Sequence, residues 1–113
     1  MLIKICGIKN IDTLKCCELN KANFFGMVFF RKSPRNIDLE KAQHLQNYSK
    51  KLKINGVGVF VNEDIEDLKK IIGKLNLDYV QLHGDEDYEY IKIIQRNHIK
   101  VIKKISIEQK SDL

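Results

Sequence analysis

Five short apolar runs, separated by four stretches of helical periodicity, constrain this chain more than any other feature. LIKIC (2–6) alternates apolar and polar residues, as a partly exposed strand does. FFGMVFF (24–30) and INGVGVFVN (54–62) are almost unbroken apolar runs, the pattern of strands buried on both faces. DYVQLHG (78–84) and IKVIKKISI (99–107) complete the series. Residues 10–23, 39–51, 63–75 and 86–97 read as the helices between them. Asn10 or Asp12 can cap the first helix, and Asp38 the second. The third is acidic in its opening turn and basic later, which suits the helix dipole. Gly56 and Gly58 fall inside the third strand, where a missing side chain permits close approach of neighbouring layers.

Strands that begin about 22 to 30 residues apart and alternate with helices predict an α/β fold, a parallel sheet with right-handed crossovers. Two architectures satisfy this order. An open, flavodoxin-like sheet needs about five strands and is complete in 113 residues. A (β/α)8 TIM barrel needs eight, and in that case residues 1–113 would form a single partial barrel domain, strands one to five with helices one to four. Length alone favours the open sheet, and periodicity alone is compatible with both.

Composition excludes several function classes. No apolar run approaches the roughly 18 residues of a membrane span. The N-terminus MLIKICGIKN has no secretory apolar core, so the expectation is a soluble cytoplasmic protein with no membrane partner. Three cysteines, two of them adjacent and none in a CxxC, form neither a disulfide framework nor a structural zinc site. No metal site is expected. The net charge of +5 comes mostly from scattered lysines, with only Arg31, Arg35 and Arg96 as arginines. That distribution is not a nucleic-acid footprint. It leaves room for a basic groove that takes a small anion.

The C-terminal ends of the strands carry the chemistry. Strand one ends in Cys6-Gly7, strand two runs into Ser33-Pro34-Arg35, strand three ends in Val61-Asn62, and strand four ends in Gln81-Leu82-His83-Gly84. In parallel α/β folds that edge is where ligands bind. Each residue also has a plain structural reading. Cys6 taken alone reads as a buried thiol. Beside cations the same thiol gains thiolate character. Arg35 is either a loop residue or a fork that holds a carboxylate or phosphate in two hydrogen bonds. His83 could pair with Cys6 as a nucleophilic dyad, which needs hydrogen-bond reach. His44 and His98 carry no signal. Gly56-Val57-Gly58 is not a dinucleotide fingerprint, because it lies within a strand and no third glycine opens a helix.

KICGI, GMVFF followed by SPR, VGVFVN and VQLHGDE, in this order and spacing, resemble the phosphoribosylanthranilate isomerase family of tryptophan biosynthesis. The resemblance spans essentially the whole chain and replaces the open sheet with a TIM barrel. It implies an Amadori rearrangement of N-(5'-phosphoribosyl)anthranilate to the corresponding 1-deoxyribulose amine, with no cofactor. An acid must protonate the ribose ring oxygen, and a base must take the proton from C2 of the sugar. The resemblance makes Cys6 the base and Arg35 a substrate-binding group facing the anthranilate carboxylate. It makes Gln81 and His83 lining residues. The family's acid, an aspartate at the end of strand six, and its phosphate grip after strands seven and eight have no counterpart here. Glu108 and Asp112 do not match that motif. The expectation is an incomplete isomerase, inactive alone, either a truncated product or half of a split barrel. Its open strand edges would then bind a separate C-terminal half or a second copy. A non-catalytic anion-binding α/β module is the reading from another class.

Overall fold

The computed structural model describes residues 2–103. The elements follow the predicted alternation: β1 (Lys4–Cys6), α1 (Ile11–Leu19), β2 (Phe24–Val28), α2 (Leu39–Leu52), β3 (Asn55–Phe60), α3 (Ile65–Leu75), β4 (Tyr79–Leu82), α4 (Tyr88–Gln95) and β5 (Lys100–Lys103). The helix starts are written locally. Asn10 and Asp38 cap α1 and α2, accepting from the N–H of Thr13 and Lys41 at 2.8 Å each. Each satisfies a donor that has no partner inside its helix. The strands are shorter than the apolar runs that announce them. The expected fifth strand, residues 99–107, extends past the described residues, and Glu108 and Asp112 lie outside them.

The five strands pair in parallel in the order β1-β2-β3-β4-β5. This order decides between the two architectures. A flavodoxin-like sheet reverses direction after its first crossover and places β1 inside the sheet. Here every crossover steps one strand further the same way. Right-handed crossovers then put all the helices on one face, and α1 packs on α2, and α2 on α3. That is the winding of a barrel wall, and the sheet of the described residues is not closed.

The two sheet faces differ accordingly. Phe25, Met27, Phe60, Val80 and Leu82 point to the helices and are fully buried, packed with Leu14, Leu45, Leu68, Leu75 and Ile94. Gly56 and Gly58 leave room there for Gln46 of α2 and for Leu77, as close approach predicts. The register sets Cys6, Gly26, Val57 and Tyr79 side by side on the other, inner face. Phe24 meets Tyr79 edge-on there at 4.9 Å, with the Lys100 ammonium 5.4 Å from the Tyr79 ring.

Candidate active site

At the C-terminal end of β1 the chain turns sharply. The N–H groups of Gly7 and Ile8 both donate to the Gly26 carbonyl, at 3.0 and 3.1 Å. Gly7 takes φ +80°, which a side-chain-bearing residue rarely adopts. The Arg35 side chain lies directly over it, where a Cβ on Gly7 would stand 2.6 Å from Arg35 Cδ. The half-buried Cys6 faces inward beside Gly26, at which a Cβ would stand 3.1 Å from Cys6 Sγ. Two glycines therefore seat the thiol and the arginine at one corner of the rim.

The loop that delivers Arg35 is fixed locally. The Arg35 N–H donates to Ser33 Oγ at 3.1 Å, Lys9 Nζ donates to the Pro34 carbonyl at 3.4 Å, and the Ile37 N–H returns to the Val28 carbonyl at 2.9 Å. Gln81 stands on the inner face of β4, and its Nε2 lies 2.6 Å from His83 Nε2. Gln81 Oε1 is buried and has no hydrogen-bond partner among the described residues. The His83 N–H donates to the Phe60 carbonyl at 2.9 Å, which holds its backbone to β3.

The structure thus brings Cys6 to Arg35, and Gln81 to His83, in two groups on the same edge. The two groups are not adjacent. Between β1 and β4 stand β2 and β3, three strand spacings of about 4.8 Å each. A direct Cys6–His83 dyad needs a reach that this sheet does not give.

Sequence reading missed a third group. The predicted fourth helix begins at Glu86, but α4 begins at Tyr88 and Glu86 turns back into the rim. Its carboxylate accepts from the N–H of Asn62 at 2.8 Å, from the N–H of Gly84 at 2.9 Å and from Lys103 Nζ at 3.0 Å. Lys103 Nζ also donates to the Gly84 carbonyl. Asn62, at φ 50°, accepts from the N–H of Asp85 through its Oδ1 at 2.7 Å. Burial pushes the Glu86 carboxyl up, but the hydrogen bonds from Lys103 and the backbone N–H groups, with the charge of Lys103, outweigh it. Its pKa lies below the ordinary carboxylate value. A signal for this group did exist. In KVIK, Lys103 shares the face of Val101, which packs against the core, and a lysine there calls for an acid.

A hollow of about 800 Å³ lies elsewhere, on the outer side along α3, and none of Cys6, Arg35, Gln81 and His83 lines it. Among the described residues no helix is long and apolar enough to cross a membrane. No group of three or more His, Cys, Asp or Glu among them could hold a metal ion.

The chain is similar to known proteins over nearly its whole length. Residues 3–113 match the family model of N-(5'-phosphoribosyl)anthranilate (PRA) isomerase. The N-(5'-phosphoribosyl)anthranilate isomerase of Clostridium acetobutylicum is 40% identical over 111 residues, which are 98% of this chain and 52% of that protein. Monomeric phosphoribosylanthranilate isomerase from Thermotoga maritima superposes with a TM-score of 0.87 at 34% identity, covering 99% of this chain and 56% of that one. A phosphoribosylanthranilate isomerase in complex with reduced 1-(o-carboxyphenylamino)-1-deoxyribulose 5-phosphate superposes with a TM-score of 0.86 at 34% identity, over 96% of this chain and 56% of that one. The chain spans about half the length of the curated relatives it matches.

Proposed function

The chain belongs to the N-(5'-phosphoribosyl)anthranilate isomerase family, and from that premise we propose that its rim is the base-bearing side of an Amadori isomerase site in tryptophan biosynthesis. The substrate is N-(5'-phosphoribosyl)anthranilate. Protonation of the ribose ring oxygen breaks the C1–O bond and leaves a Schiff base at C1. The Cys6 thiolate then takes the proton from C2, giving an enolamine. Return of a proton to C1 yields the ketose amine, with no net gain or loss of electrons. Arg35 holds the anthranilate carboxylate through its guanidinium fork. Gln81 and His83 line the pocket, and the buried Gln81 Oε1 offers an acceptor to a sugar hydroxyl.

The observation that carries this reading is the packing of the Arg35 side chain over Gly7, the residue that follows the inward-facing Cys6. Thiol and cation then meet a substrate that has an acidic C2–H and a carboxylate close together. The described residues supply five parallel strands, and a closed barrel has eight. Turnover therefore requires three more βα units seated between the edges of β5 and β1, where the family's acid and phosphate grip belong. Those units come either from the same polypeptide or from another one. A cytoplasmic location goes with this reading.

The test is conversion of phosphoribosylanthranilate by the chain alone, and by the chain mixed with strands six to eight of a relative. Activity is expected with the complement. Cys6→Ser in that assembly is expected to lower kcat by about 10²-fold or more. Full activity of Cys6→Ser overturns the assignment of the base.

A further inference from the structure

The group at the ends of β3, β4 and β5 takes no part in the chemistry above, yet it is a closed structure. The Gly84 N–H donates to Glu86 Oε1, Lys103 Nζ donates to the same oxygen, and Lys103 Nζ also donates to the Gly84 carbonyl. The residue that follows His83 is gripped through both of its backbone polar groups. Glu86 Oε2 takes the Asn62 N–H, and Asn62 Oδ1 takes the Asp85 N–H, so the β3 turn closes on the β4 turn from the other side. A Cβ on Gly84 would lie 2.9 Å from Asn62 N, so the two turns are already at the limit of approach.

Three donors and no acceptor converge on the Glu86 side chain. A carboxylate satisfies all three, whereas an amide would turn its own N–H groups against one of them. The side chain is 1% exposed, and its carboxylate is taken up by the Asn62 and Gly84 N–H groups and Lys103. Any effect it has on the site passes through other groups. Tyr90, the nearest phenol on α4, does not serve this carboxylate, because its hydroxyl donates to the Glu63 carbonyl at 2.7 Å.

We propose that Glu86 is a positioning residue that, with Lys103, fixes the Gly84 peptide and thereby sets where the His83 ring stands beside Gln81. The importance of that position for substrate rests on the isomerase reading of His83; the clamp itself does not. The His83 ring meets Gln81 Nε2, and the His83 backbone, held to β3 through the Phe60 carbonyl, continues into the gripped peptide.

NMR of the full chain tests this, with His44 and His98 as internal references. In Glu86→Gln the His83 ring resonances are expected to move while those of His44 and His98 stay in place. The Gly84 and Asn62 amides are expected to exchange at least about tenfold faster. If Glu86→Gln does not fold, Glu86→Gln with Lys103→Met removes both charges, so neither is left buried alone. An unmoved His83 in a folded variant overturns the proposal, as do unchanged Gly84 and Asn62 amides. Equal movement of all three histidines is general loosening and overturns it too. None of these readings needs turnover, so an inactive chain counts against the proposed function and not against the clamp.

Discussion

At the scale of single residues, the rim depends on groups that are absent as much as on groups that are present. Gly7 combines φ +80° with an arginine stem where its side chain would be. Gly7→Ala is expected to cost about 1–2 kcal/mol from the left-handed backbone, and more as Arg35 is displaced. A lowered urea midpoint checks it. Glu86 makes a different kind of contribution. Its folded pKa lies below its ordinary value of 4.5. The stability it confers is therefore fully present above that value and is lost as pH falls through the depressed folded one. Acid unfolding curves of wild type and Glu86→Gln should accordingly lie furthest apart above pH 4.5, with wild type the more stable, and draw together as pH falls below it. The Cys6-Gly7 and Ser-Pro-Arg motifs were legible because each is carried by adjacent residues. Glu86 was not, because two of its three partners lie 24 and 17 positions away in the chain.

At the scale of elements, the helix ends and their fastenings explain the shape of the rim. Asn10 and Asp38 were readable as caps because capping is decided within four residues. The start of α4 was misread by two residues, since periodicity does not reveal that a carboxylate is needed elsewhere. Asp87 caps the helix instead, accepting from the Tyr90 N–H at 2.9 Å. One turn in, the Tyr90 hydroxyl ties α4 to the β3–α3 turn. Burial, then the nearby carboxylates of Glu86, Glu63 and Asp64, push its pKa up, so it stays a donor throughout the neutral range. Tyr90→Phe is expected to cost about 1 kcal/mol, seen as a shift in the denaturant midpoint with no change in the far-ultraviolet circular dichroism of the helices.

At the scale of the whole molecule, the described sheet has two open edges and an inner face without a facing wall. Leu2, Ile3 and Ile5 near one edge are 74%, 41% and 38% exposed, and Ile102 at the other is 40% exposed. Unpaired backbone beside apolar side chains invites pairing with another chain. Residues 1–113 are therefore expected to gain mass with concentration in light scattering, and Ile5→Lys is expected to reduce that association. What the sequence determined by itself is everything that depends on near neighbours: five strands, four helices, two of the caps, and the delivery of Cys6, Arg35, Gln81 and His83 to strand ends. Residue patterns with periods of two and 3.6, and caps decided within one turn, are written locally. The motifs pointed to a barrel only through their resemblance to a family; the tertiary structure set the strand order that makes the sheet a barrel wall rather than a flavodoxin-like layer. It also set the two-strand gap between Cys6 and His83 and joined Glu86 to Lys103. These are pairings across many residues, fixed by which apolar faces and buried charges satisfy one another in space, and no local pattern carries that information.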